Sequence, residues 1–145
     1  MAEFIELHAR EEIVRACEDW HSNEGYGLDE ENSLELADEL KALLDKGRVE
    51  AYVIERKARL AALPNIPCDL CHGSGIRSDK VGREFAMPET VITTESHPRH
   101  GQKGWCNGCD GRGSIRPSPC SYRLDVDDVQ DFVGFLLDCG GFEIC

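Results

Sequence analysis

The first apolar positions of the chain, Ile5, Ala9, Ile13, Ala16 and Trp20, recur at steps of four, four, three and four. Such spacing puts them on one face of a helix, with Glu3, Glu6, Arg10, Glu11, Arg15 and Glu18 turned elsewhere. The segment HSNEGYGLDEE, residues 21 to 31, breaks the period with glycines and acids and predicts a loop. A second stripe then runs through Leu36, Leu40, Leu43, Leu44, Gly47, Ala51, Ile54, Ala58 and Ala61, almost to Pro64. It opens at Asn32 or Ser33, where Asn32 and Glu35 fit a capping box. Its continuous phase predicts one helix of about 45 Å, unless Gly47 marks a turn between two helices. Val49, Val53 and Leu60 give its second half another apolar side, so that half is expected to be buried on two faces.

Pro64-Asn65-Ile66-Pro67 ends this region, and RPSPCS, residues 116 to 121, is a second proline-marked connector. Asp125 then caps a last helix with Val126, Val129, Val133, Leu136 and Leu137 on one face. Gly140 and Gly141 stop it, and Phe142 and Ile144 are apolar enough to dock back. The fold class expected is α+β and mostly helical: a helical bundle scaffold with an inserted zinc-knuckle and β-hairpin subdomain. Residues 1–64 form acidic N-terminal helices, 65–117 the cysteine-bearing insert, and 118–145 a helix and tail packing on the N-terminal helices.

The insert carries the chemistry. CDLCHGSG, residues 68 to 75, returns 38 positions later as CNGCDGRG, residues 106 to 113, so Cys-x-x-Cys-x-Gly-x-Gly is written twice. Each pair can wrap two thiolates around a metal across a tight turn, and the glycines supply positive φ and let backbone N–H groups approach the sulfurs. Two pairs make the ligand set of a closed tetrahedral structural zinc site, and Cys68, Cys71, Cys106 and Cys109 are the expected ligands of one Zn2+. The 34 residues between the pairs cost little entropy once their ends are pinned. Iron–sulfur binding shares the four-cysteine stoichiometry, and His72, His97 and His100 leave a mixed ligand set open. Neither repeat opens a helix as a thioredoxin-like dithiol would. A complete thiolate set also leaves no open position for catalysis.

This pattern resembles the cysteine-rich zinc-binding region of DnaJ-type co-chaperones, over residues 68 to 113. That family carries four such repeats, folded as hairpins around two zincs. The resemblance therefore implies a single zinc for two repeats, and a role in gripping other proteins. No J domain accompanies it: the nearest string to His-Pro-Asp is His97-Pro98-Arg99.

Between the repeats, Val91-Ile92-Thr93-Thr94 has β propensity, and Val81 to Phe85 reads as an extended or hairpin segment. Arg99, His100, Lys103 and Trp105, with His97, concentrate just before the second repeat as a small basic and aromatic tip. They are the candidate binding residues. Of the remaining cysteines, Cys17 and Cys139 read as small core residues, while Cys120, after a proline connector, and Cys145, the last residue, are open to being exposed and reactive, with nothing nearby to activate them.

Charge narrows the partners. Residues 1–64 carry 16 acids against 8 bases, residues 65–117 carry 6 against 7, and residues 118–145 carry 6 against 1, for a net −12. So acidic a chain is not expected to take nucleic acid as a direct ligand. A protein partner is expected. The composition resembles in general character the small acidic proteins with which phages block host nucleic-acid-binding complexes, where carboxylates stand in for phosphates. A DnaJ-like binder of unfolded chains and a nucleic-acid binder working through the insert tip are the alternatives. No serine elbow, phosphate loop or metalloprotease helix occurs, so no enzyme activity is expected. Asp127, Asp128 and Asp131 read as a solvated helix face. With no membrane-length apolar run and an acidic start, the expected location is the cytoplasm.

Overall fold

The computed structural model describes every residue from Met1 to Cys145. It is α+β and mostly helical, with the order α1 (Ala2–His8), α2 (Glu11–Ala16), β1 (Tyr26–Asp29), α3 (Glu30–Asp45), α4 (Arg48–Ala62), β2 (Ile66–Pro67), α5 (Lys80–Glu84), β3 (Ser114–Ile115), a 3-10 turn (Ser118–Ser121), α6 (Val126–Asp138) and β4 (Gly141–Ile144). The chain divides into two compact units, Met1–Arg59 with Arg123–Cys145, and Leu60–Tyr122. No helix is long and apolar enough to cross a membrane.

The first unit is built on α3 and α6, whose facing side chains Leu36, Ala37, Leu40, Val129, Val133 and Leu136 are buried. Phe4, Ile5, Ile13, Cys17 and Val49 join this core, with Trp20, Leu28, Tyr52, Val53 and Leu124. Here the N-terminal stripe is interrupted. Ala9 and Arg10 are extended, splitting the expected single helix into α1 and α2, and Trp20 lies beyond both. Tertiary contacts outweigh the period. The Arg10 guanidinium pairs with Glu35 and Glu39, and its backbone N–H donates to the Glu39 carboxylate at 2.8 Å. Ile5 and Ile13 stay buried, and the Trp20 indole donates to the Val14 carbonyl at 3.0 Å.

The expected loop at residues 21 to 31 contains β1 instead. It pairs antiparallel with β4 in the register Tyr26↔Ile144 and Leu28↔Phe142. The apolar tail therefore docks by completing a two-stranded sheet. The cap of α3 is Asp29 rather than Asn32: its carboxylate accepts from the Asn32 N–H at 2.9 Å. That bond, and a second from the Asn32 side chain, hold the Asp29 carboxyl below the usual carboxylate range.

Gly47 ends α3 at φ +65° and re-phases the chain. The buried positions of α4 become Val49, Tyr52 and Val53, while Ala51, Ile54, Ala58 and Ala61 of the expected stripe are exposed. Burial of the second half on two faces is thus not found. On α6, Leu137 is exposed and Phe132 is half-buried in its place. Asp125 starts this helix in a capping box, with the Asp128 carboxylate accepting from the Asp125 N–H at 2.7 Å.

The second unit has little apolar interior. Its buried hydrophobic side chains are Cys68, Cys71, Met87, Ile92, Cys106 and Cys109. Val81 to Phe85, expected to be extended, lies mostly in the short helix α5, capped by the Asp79 carboxylate on the Gly82 N–H at 2.7 Å. Val91 to Thr94 contributes one isolated bridge, Val91↔Lys103. Near the ends of the unit, β2 pairs with β3, and the Arg116 guanidinium donates to the Leu60 and Leu63 carbonyls at 2.6 and 2.8 Å. Those carbonyls close α4, where backbone acceptors lack helical partners.

Two glycines in the first unit predict opposite outcomes. A Cβ at Gly27 would lie 1.8 Å from the Phe142 carbonyl oxygen, whereas one at Gly134 in α6 meets nothing within 4 Å. Gly27→Ala is therefore expected to part β1 from β4 and lower the unfolding midpoint. Gly134→Ala is expected to stabilise by up to ~1 kcal/mol. Urea titrations followed by far-UV circular dichroism check both signs.

Candidate metal centre

The two repeats fold alike because they repeat the same backbone constraints. In the first, the Cys71 and Gly73 N–H groups both donate to the Cys68 carbonyl at 3.3 Å. In the second, the Gly111 N–H donates to the Cys106 carbonyl at 3.0 Å. After each second cysteine the chain turns left-handed, at His72 (φ 49°) and Gly73 in one repeat and at Asp110 (φ 51°) and Gly111 in the other. The last glycine of each repeat then aims its N–H at a sulfur: Gly75 at Cys71 Sγ, 3.3 Å, and Gly113 at Cys109 Sγ, 3.2 Å.

The knuckles pack reciprocally. A Cβ at Gly75 would lie 2.4 Å from the Gly111 carbonyl oxygen, and one at Gly113 would lie 2.3 Å from that of Gly73. The same exchange relates β2 and β3 to the segments beside the other cysteines, where the Arg77 N–H donates to the Trp105 carbonyl at 2.9 Å. Contacts of i with j repeated as j with i are the mark of two-fold packing. It brings like sulfurs together: Cys68 and Cys106 Sγ are 3.9 Å apart, and Cys71 and Cys109 Sγ are 3.7 Å apart.

All four sulfurs are buried and lie within 4.8 Å of one another. A tetrahedron with metal–sulfur bonds of about 2.3 Å has edges of roughly 3.8 Å, so the spacing suits one ion. A multi-iron cluster, with bridging sulfides between its irons, would hold the cysteine sulfurs farther apart. Burial opposes ionisation of Cys71, but the Gly75 N–H and the neighbouring thiols outweigh it and bring its pKa down to about 7. Burial pushes Cys109 up to about 12, against the Gly113 N–H and reinforced by the other three thiols. Cys106 is likewise raised, chiefly by burial. Four crowded sulfurs cannot all ionise without a cation among them, while the aimed N–H groups favour thiolate. These residues therefore fit a bound metal ion.

No histidine joins them. His72 is exposed, and His97 is directed to Asp110, its Nε2 3.1 Å from Oδ1, while its Nδ1 accepts from the Arg99 N–H at 3.0 Å. This pairing sets the tautomer, with the proton on Nε2. It also anchors the intervening loop to the left-handed residue of the second knuckle. The tip residues are spread over different tasks. Arg99 donates to the carbonyls of Gly104 and Lys103 at 3.2 and 3.3 Å, Lys103 pairs with Glu89, and the Trp105 indole reaches Asp110 at 3.4 Å. His100 is exposed. Sequence reasoning missed the His97–Asp110 tie. Its one signal is that an acid stands at residue 110 where the first repeat has His72.

Cys17 is buried in the helical core, and Cys139 is half-buried, its thiol 3.6 Å from the Leu136 carbonyl. Cys120 is half-buried near the Leu60 carbonyl, and Cys145 is exposed. No protein-family model, curated protein or solved structure matches the chain.

Reciprocal packing makes Gly75 and Gly113 part of what holds the four sulfurs together. Gly75→Ala and Gly113→Ala, which leave all four sulfurs in place, are each expected to weaken metal binding at least tenfold. His72→Asn, at an exposed left-handed position that asparagine tolerates, should leave it within about twofold. Competition against a chromophoric chelator measures all three.

Proposed function

We propose that the chain is a non-catalytic protein-binding module whose cysteine unit is held together by one zinc ion. The observation that carries this reading is the closed set of four buried sulfurs within 4.8 Å of one another. Four thiolates complete a tetrahedral shell, leaving no position for water or substrate, as in structural rather than catalytic sites. Zinc suits an all-thiolate shell and has no redox chemistry of its own. The two full Cys-x-x-Cys-x-Gly-x-Gly repeats support a DnaJ-type kinship for the metal module alone.

Charge supports a basic partner. The helical unit carries 22 acidic against 9 basic residues, a balance of −13, and the cysteine unit carries 6 against 7. A surface of this kind attracts cationic protein faces, including those that otherwise hold nucleic acid, and repels phosphate. Competition with nucleic acid for a basic protein, in the manner of an acidic phage inhibitor, is the form of the function favoured here. Arg99 donates to carbonyls of its own loop and Lys103 pairs with Glu89, which counts against the nucleic-acid reading.

Elemental analysis of purified protein is expected to give one zinc per chain, and Cys106→Ser to lose it together with protection of the second unit from proteolysis. Metal-free protein with an intact, protease-resistant second unit would refute the zinc assignment. Affinity capture from the native host should recover a basic protein whose retention falls steeply with salt. Suppression of aggregation of unrelated unfolded proteins would favour the chaperone reading instead.

A further inference from the structure

Besides its core face, α6 carries a second one. Asp128, Asp131, Phe132 and Phe135 follow one another at i, i+3, i+4 and i+7, a single stripe of the helix, whereas Val129, Val133 and Leu136 point into the core. The stripe borders a cleft of about 460 Å³ within the helical unit, to which Trp20 and Phe142 also contribute. Four aromatic rings cluster there. Phe132 stacks on Phe135 with centroids 5.9 Å apart, and Phe142 stands edge-on to both at 6.1 and 5.8 Å and tilted to Trp20 at 6.3 Å. Phe135 is 48 % exposed, a large apolar surface at the mouth. The volume falls within the roughly 300–1,000 Å³ typical of binding pockets.

The aromatic floor asks for an apolar group and the acidic edge for a cation. A second copy of this chain is a poor occupant, since each helical unit carries −13. An uncharged small molecule would fill the floor and leave the carboxylates unmatched.

We propose that this cleft is a docking site for a short cationic segment of a partner protein. The segment presents a large apolar side chain to the aromatic rings and Arg or Lys to Asp128 and Asp131. The proposal rests on the protein-binding reading above and names its surface. Aromatic faces add cation–π attraction to the charge pairing, and a ring cluster with a charged rim is the usual make-up of an interface hot spot.

The probe is a fluorescein-labelled amphipathic peptide of lysine, leucine and tryptophan, followed by anisotropy at physiological salt. Oligolysine of equal charge and a glutamate-substituted amphipathic peptide serve as controls. Saturable binding of the first peptide alone is expected, weakened roughly tenfold by Phe135→Ala and by Asp131→Lys. Phe85→Ala, at an exposed aromatic of the other unit, should change nothing. Both test positions are exposed, and circular dichroism confirms that the variants fold. Asp128 is left alone because its carboxylate caps α6.

Equal binding of oligolysine, or binding indifferent to Phe135→Ala, would reduce the cleft to unspecific charge and overturn the proposal. Absence of peptide binding would overturn it as well. If a captured host partner is then retained equally by wild type, Phe135→Ala and Asp131→Lys, the protein-binding reading stands without this cleft. Capture of no partner under any condition would take that reading down too.

Discussion

Four sulfurs within 4.8 Å of one another are most of what the segment from Leu60 to Tyr122 has for an interior. Burial at about 25 cal/mol per Å² needs apolar area, and here only Met87 and Ile92 are buried beyond the cysteines, with Ile115 partly buried against the sulfurs. Small units with so little core fold by covalent or metal cross-linking. A metal ion held by the four sulfurs would be the energetic counterpart of the Phe4, Ile13, Leu36 and Leu136 cluster in the helical unit. Each unit has one source of cohesion, and the two sources differ in kind.

The repeat explains how so few residues suffice. One knuckle offers two sulfurs and buries nothing. Two knuckles packed reciprocally offer four, and the same exchange seats Gly75 against Gly111 and Gly113 against Gly73 at distances no side chain would permit. The long loop between them is not merely spanned. His97 and Trp105 both reach the Asp110 carboxylate, and these bonds, His97 first, hold its pKa below the usual range. Asp110 is itself left-handed, a conformation that costs a non-glycine residue roughly 1 kcal/mol or more. The loop therefore fastens to the left-handed residue of the second knuckle.

What could be read from the sequence follows the range of the interaction that decides it. Cys-x-x-Cys-x-Gly-x-Gly specifies the paired cysteines, the turn and the N–H donors to sulfur within eight residues, and its second copy supplies the packing partner. The capping acid of α6 is local in the same way, as are Val129, Val133 and Leu136 on its core face, though not Leu137. Failures occur where a distant residue decides. The stripe from Ile5 to Trp20 is periodic enough for one helix, but the chain is extended at Ala9 and Arg10, where Arg10 meets the distant Glu35 and Glu39. The stripe through Gly47 keeps its period on paper, yet one left-handed residue rotates everything after it, exposing Ile54 and burying Tyr52. GYGLD lacks the β-branched residues that advertise a strand, and its partner Gly141–Ile144 lies at the other end of the chain.

The uneven charge is the last consequence of this division of labour. Of the nine basic residues in the helical unit, Arg10, Arg15, Arg56, Lys57, Arg59 and Arg123 pair with carboxylates of the same unit. Its cations are thus largely spent on internal ties, such as Lys57 and Arg123 on Asp125, which hold that carboxyl below the usual range. The excess of acid remains as a field over the surface. Self-repulsion of this kind opposes compactness and weakens as salt screens it over about 10 Å at 0.1 M. A hydrophobic core can tolerate it. A core of four thiolates could not, because added negative charge would compete with the very ionisation that metal binding requires. Keeping the cysteine unit close to neutral, at 6 acids against 7 bases, lets one chain carry both an acidic surface and a thiolate centre.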